Sequence, residues 1–288
     1  MIYMKSGEIK NVLKKRFKMV KKHYNKLFED FAIEEIHGFR LEMKKLSAFI
    51  RLINTNILEK KKIKIGGKIK SFYNTTGNIR NIQLHQQRVS HLCDEMLPEK
   101  PVHYLQFLRN KENMLKKKAR RIADKNLYNH FWKKIIYLVP HKSGKKAVQA
   151  FVIQKKHALL ELIFLLDYSD EALHTLRKVL KDILDDWKYI GSYVPAALPD
   201  YFTNKKNIEV FTDKLGEFHD LCIAFYFFEP IYINKVTDEK EKQILLTLRQ
   251  KLEESKDRIK EDISTLLNHV KQEMEKEMFV RVSMILKQ

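Results

Sequence analysis

Two stretches of the chain carry the same spacing of imidazole, guanidinium and ammonium groups. His37, Arg40, Lys44 and Arg51 stand at steps 0, 3, 7 and 14 from the first of them. His174, Arg177, Lys181 and Lys188 repeat those steps. At 100° per residue the four positions fall within an arc of about 60° on a helix. Each set therefore forms a cationic row rather than a scatter of charge. Such a row suits a polyanion: Arg bridges two oxygens with its planar fork, and Lys acts as a point charge. The histidines are auxiliary donors, so affinity is expected to rise from pH 8 to pH 6.

A second pair of motifs follows the first. Gly77-Asn78-Ile79-Arg80 lies 40 residues after His37, and Gly216-Glu217-Phe218-His219 lies 42 residues after His174. The offsets between copies, 137 and 139 residues, imply an internal duplication. Arg80 and His219 join the candidate ligand-binding residues.

The elements that must position these groups are helices. Only 8 Gly and 6 Pro occur in 288 residues, too little turn material for a many-stranded sandwich or barrel. Apolar residues recur at helical spacing almost throughout. The pattern predicts eight helices, at 7–28, 31–59, 68–95, 101–136, 145–166, 170–192, 203–229 and 238–286, the last with a break near 271. In the second, Ile36, Phe39, Met43, Leu46, Ile50, Ile53 and Ile57 share the apolar face beside the cationic row. In the sixth, the face is Leu173, Leu176, Leu180, Ile183, Trp187 and Ile190. The breakers Pro98 to Pro101, Pro195 to Pro199 and Pro230 separate helices, and Val139 to Gly144 divides the chain. The expectation is an all-α chain of two pseudo-symmetric four-helix bundles, 1–139 and 145–288, with a basic groove between them.

The charge supports a polyanion partner. The formal net charge is +20. Residues 1–150 hold 35 Lys+Arg against 12 Asp+Glu, and residues 151–288 hold 21 against 24. The excess belongs to the first half, whose field attracts nucleic acid, polyphosphate, phosphorylated metabolites or anionic lipid. Two cysteines, Cys93 and Cys222, cannot make a disulfide framework or a four-Cys zinc site. No metal ligand set, no cofactor motif and no catalytic constellation stands out. His85 and His91 lack the i, i+4 spacing of ligands on one helix face. Gly66-Gly67 opens no phosphate-binding loop. Nothing resembles a secretory leader or a membrane span, so a cytoplasmic protein is expected.

The duplicated motifs resemble those of the CHAD domain, the conserved histidine α-helical domain. The resemblance rests on His37-Gly38-Phe39-Arg40-Leu41-Glu42-Met43-Lys44, His174-Thr175-Leu176-Arg177-Lys178-Val179-Leu180-Lys181, Thr76-Gly77-Asn78-Ile79-Arg80-Asn81 and Leu215-Gly216-Glu217-Phe218-His219-Asp220. It covers essentially the whole chain. It implies two related four-helix bundles that bind inorganic polyphosphate in a basic groove, without catalysis. This chain departs from the family pattern at Ser47 and Leu184, where a further Arg is common, and at Asp182 and Asn81. Those departures imply a binding surface biased toward the first half. The alternatives are a nucleic-acid-binding helical protein, with nucleic acid otherwise a secondary partner, and behind it a phosphohydrolase suggested by His219-Asp220.

Overall fold

Helices form where apolar side chains recur three and four residues apart, and the computed structural model follows that pattern. It describes residues 4–55, 57–96, 99–123, 127–139, 142–143, 145–164, 168–195 and 197–285. The expected breakers Pro98, Pro140, His141 and Gly144 lie outside them. Among the described residues there are eleven α-helices. They are α1 (Ser6–Asp30), α2 (Ile33–Asn54), α3 (Gly67–Met96), α4 (Val102–Ile122), α5 (Leu127–Leu138) and α6 (Lys145–Phe164). Then come α7 (Asp170–Asp185), α8 (Trp187–Ile190), α9 (Lys205–Tyr226), α10 (Pro230–Ile233) and α11 (Glu239–Ile285). Two-residue strands, β1 (Met4–Lys5) and β2 (Lys142–Ser143), pair antiparallel. No described helix is long and apolar enough to cross a membrane.

The all-α expectation holds, with four revisions to the helix count and bounds. The segment 101–136 is two helices, α4 and α5. The second helix ends at Asn54, so Ile57 leaves its apolar face. The sixth breaks at Asp186, whose backbone (φ −102°, ψ 5°) leaves helical geometry before α8 begins. The last does not break near 271, because α11 runs unbroken to Ile285. The chain sorts into two units that differ from the linear halves 1–139 and 145–288. Unit one is Met1–Ala147 with Ile223–Leu252, and unit two is Val148–Cys222 with Glu253–Gln288.

In unit one, α1 buries Ile9, Leu13, Phe17, Val20, Tyr24 and Leu27, one residue per turn. Opposite them α2 buries Ile36, Phe39, Met43, Leu46, Ile50 and Ile53. Tyr24, Phe39 and Phe72 meet with ring centroids 5.2 to 6.3 Å apart. Phe31 stops α1 in the left-handed region (φ 59°), where its amide donates to the Leu27 carbonyl. That conformation costs a non-glycine residue about 1–2 kcal/mol. Complete burial of its ring offsets the cost.

The first turn of α4 is completed from far along the chain. Glu241 accepts from the backbone amides of His103 (2.9 Å) and Tyr104 (3.2 Å) and bonds the His103 ring (2.8 Å). Those amides have no partner within α4 itself. Glu241 is buried, so its loss leaves them unsatisfied. Glu241→Ala is expected to lower stability against urea by about 2 kcal/mol, and Glu241→Gln by less.

His85 sits deeper, among Tyr104, Phe227 and Phe228. The Tyr104 hydroxyl donates to the Phe227 carbonyl (2.6 Å), so His85 Nε2–H donates to the Tyr104 oxygen (2.9 Å). Burial, aided by Arg88, pushes the imidazole down to about 3. The folded protein therefore keeps His85 neutral at pH values where the unfolded chain protonates it. Its depressed pKa makes stability full above about 6.5 and eroding as pH falls toward about 3, by up to about 1.4 kcal/mol per pH unit. His85→Gln is expected to flatten that part of the acid-unfolding profile.

In unit two, α7 turns Leu173, Leu176, Leu180 and Ile183 inward, and α9 answers with Ile208, Phe211, Leu215 and Phe218. Ile263, Leu267 and Val270 of α11 are buried there as well. Ser169 caps α7 by accepting from the Ala172 amide. Asp170, in the first turn, holds Lys256 (3.2 Å) and Lys260 (3.0 Å) of α11. The Cys222 thiol points at that carboxylate, and burial with Asp170 pushes its pKa up to about 11, so it stays a protonated thiol.

Candidate functional site

The arginine of each motif behaves alike in its own unit. On α2, Arg40 turns from the exposed row and lies flat across α3. Its guanidinium sits 4.2 Å above the Tyr73 ring, and Nη1 donates to the Tyr73 carbonyl at 2.6 Å. It fills the space that a side chain at residue 77 would need. A Cβ on Gly77 would stand 2.3 Å from Nη1 and 2.7 Å from Cζ. Gly77 is thus the residue that lets a guanidinium touch helix backbone. One turn further along α3, Arg80 stands close enough to act electrostatically on Arg40.

The charges are poorly compensated. Burial is the main cause that holds the Arg40 pKa below its usual value; Tyr73 opposes it and Arg80 adds to it. Among the described residues, neither Arg40 nor Arg80 has a carboxylate within ion-pair distance. The Arg80 Nε–H is buried without a hydrogen-bond acceptor among them. A buried donor left unmade costs about 1–3 kcal/mol. A guanidinium desolvated against α3 with a second one acting on it is suited to an anion, which relieves both penalties on Arg40.

His37, Lys44 and Arg51 remain on the exposed side of α2. So the row predicted from spacing is present but layered, with His37, Lys44 and Arg51 exposed over a half-buried Arg40. Gly38 has its own role. A Cβ there would stand 2.4 Å from the His23 ring, which bonds Glu35 at 2.7 Å. His23 holds the Glu35 carboxyl below its ordinary range, with burial opposing and Lys26 assisting. The glycine inside the motif therefore lets the His23 ring of α1 close against α2.

Unit two repeats the arginine–glycine contact more loosely. Arg177 of α7 lies on α9 with Nε and Nη2 each 3.3 Å from where a Gly216 Cβ would be. Its Nε–H is also buried without an acceptor among the described residues. His174 and His219 stack, ring centroids 4.2 Å apart and planes 23° apart. The Gly-x-x-base motif thus brings its fourth residue to the arginine-bearing helix in both units, as Arg80 in one and His219 in the other.

Two predicted residues of this second set stand differently from expectation. Lys188 lies on α8, beyond the break at Asp186, so it falls out of the helical register that placed it beside His174. Lys181 lies 3.5 Å from Asp213, an ion pair that competes with a ligand. Asp182, eight residues after His174 as Lys45 is after His37, is buried and holds Lys155 at 2.6 Å. The sequence did not single out Tyr73, which gives Arg40 both its ring and its carbonyl. An aromatic residue four before a motif glycine was the available signal.

A dense basic run on α4, Lys116-Lys117-Lys118-Ala119-Arg120-Arg121, is mainly surface. Lys117, Lys118 and Arg121 are exposed, Lys116 pairs with Glu112 at 2.7 Å, and Arg120 lies over the Phe31 ring. Among the described residues no group of three His, Cys, Asp or Glu is arranged to hold a metal ion.

The sequence matches the model of the CHAD domain over residues 11–229. The chain belongs to the CHAD family. Every motif residue from His37 to His219 lies inside the matched span. The CHAD fold is also seen in the similarity to the crystal structure of the CHAD domain from the plant Ricinus communis. The two share a TM-score of 0.67 and 11% identity over 92% of this chain and 91% of that one. At that identity the likeness speaks for the fold alone. Comparison with curated proteins gives no match.

Proposed function

We propose that this CHAD protein binds inorganic polyphosphate, or a similar phosphate-rich polyanion, without catalysing its breakdown. The observation that carries this reading is Arg40 seated on Gly77 with Arg80 one turn further along α3, neither with a carboxylate partner among the described residues. Arg177 on Gly216 repeats it, with His174 and His219 beside it. The ligand is held by charge-assisted hydrogen bonds from guanidinium forks; the exposed Lys44 and Arg51 supply further cations, and His37 is an auxiliary donor. Lys181 contributes less because of Asp213, and Lys188 least because of its altered register. Binding is therefore weighted toward the first unit.

Polyphosphate is favoured over nucleic acid because the aromatic side chains near the row are consumed by the core. Phe39, Phe49 and Phe72 are fully buried or nearly so, and one face of the Tyr73 ring is covered by Arg40. None of these offers the run of exposed rings on which successive bases of a strand stack.

The test is a salt titration of affinity for long-chain polyphosphate, RNA and orthophosphate side by side. The logarithm of affinity should fall linearly with that of salt, by roughly 0.7–0.9 per phosphate neutralised if polyphosphate behaves as nucleic acids do. Polyphosphate should displace RNA readily and the reverse should fail. Equal or tighter RNA binding would reverse the assignment. Phosphate release from polyphosphate, with or without magnesium, would replace binding by hydrolysis.

A further inference from the structure

Unit one also holds a cavity of about 420 Å³ that the polyphosphate reading does not use. It lies between the second half of α2, the first half of α3 and the connection at residues 63–65. That connection is fastened. The Asn54 amide donates to the Ile63 carbonyl (2.8 Å) and its oxygen accepts from the Ile63 amide (2.9 Å). Ile63 is buried, and the two bonds tie the wall it forms to the end of α2.

The lining has two kinds of surface. Met43, Ile50, Ile63, Ile65 and the Tyr73 side chain make an apolar wall, and Arg51, Lys64 and Lys70 bring three cations to the same space. Glu59 answers part of that charge, pairing with Lys64 (2.7 Å) and Lys62 (2.8 Å). The lining itself contains no carboxylate. Ser47 turns its hydroxyl back to the Met43 carbonyl (2.6 Å). The exposed Asn74 amide is left to offer both a donor and an acceptor.

A bare phosphate chain would use the cations and waste the apolar wall. An acyl chain would use the wall and leave Asn74 facing hydrocarbon. The volume falls within the roughly 300–1,000 Å³ usual for small-molecule sites. We propose that this cavity binds a nucleotide. The heteroaromatic base lies on the apolar wall with its edge at Asn74, and the phosphates sit at Arg51, Lys64 and Lys70. This goes beyond the polyphosphate reading; it shares Arg51 with that reading, and Tyr73, which seats Arg40.

The test is calorimetric titration of the full chain with ADP, adenosine, pyrophosphate and decanoate. ADP is expected to bind about ten-fold tighter than adenosine or pyrophosphate, because each supplies only half of the recognition. Asn74→Trp, which crowds the mouth, and Lys70→Glu, which reverses one charge, should each weaken ADP by about ten-fold or more. Asn74→Trp should leave polyphosphate affinity within about two-fold, which also reports that it folds. Pyrophosphate binding as tightly as ADP, decanoate binding in preference to ADP, or unchanged ADP binding by both variants would overturn the proposal. Failure of polyphosphate to bind the parent protein, with ADP still bound, would sink the earlier reading and leave this one standing.

Discussion

Combining Arg40→Ala with Arg177→Ala is expected to weaken polyphosphate binding by about 100-fold or more. Each arginine supplies a charge-assisted contact of about 1.5–3 kcal/mol, and both are lost together. The loss should exceed that of removing any two exposed lysines, because a half-buried guanidinium meets its anion in a lower dielectric. Stability should move far less than affinity. Arg40→Ala forfeits the bond to the Tyr73 carbonyl and the contact with its ring. It also ends the desolvation of a charge and its repulsion by Arg80. Arg40→Lys should restore part of the affinity, since charge returns without the fork. Fluorescence binding with a thermal melt on each variant separates the two effects. Equal binding by the double alanine variant would remove both arginines from the site.

The second large effect is asymmetric between the units. Gly77→Ala should weaken polyphosphate binding nearly as much as Arg40→Ala, about ten-fold or more. Gly216→Ala should change binding little. The geometry sets the difference, since a Cβ at 77 would stand 2.3 Å from Arg40 Nη1, whereas at 216 the nearest Arg177 atoms are 3.3 Å away. The first distance forces the guanidinium off its seat. The second asks for a shift of a few tenths of an ångström. In an ordinary helix either change would stabilise by about 0.5–1 kcal/mol through reduced backbone entropy. Gly216→Ala should keep much of that gain. In Gly77→Ala it is spent on displacing Arg40, so the melting temperature should stay near the parent value while affinity falls. Unchanged affinity for Gly77→Ala would mean that the seated position of Arg40 is unimportant for binding.

Much of the site was legible in spacing. Steps of three and seven put Arg40 and Lys44 on the side of α2 that His37 occupies, because a helix returns to nearly the same direction at those intervals. The pairing of Arg40 with Gly77 was legible only as two motifs at a repeating distance. That one lies on the other required the packing of α2 on α3. Lys188 shows where periodicity fails. Spacing extends a row only while the helix continues, and the turn at Asp186 is a local departure that no hydrophobic period records. Gly38 misleads differently: it sits inside the motif yet serves His23 of α1, a contact between helices that no pattern within α2 reveals.

Composition and periodicity alone determined an all-helical chain with its positive charge in the first 150 residues, since few turn residues and a 3.6-residue apolar period leave no other economical way to bury the core. They also determined which side of α2 and of α7 bears the cations. Only the tertiary structure decided which cations are exposed and which are pressed against a neighbouring helix. It also decided that Glu241 caps α4, that Asp213 occupies Lys181, and that residues 223–252 join the first unit. Those outcomes depend on which helices lie side by side, and contact across a hundred residues is fixed by packing rather than by local sequence.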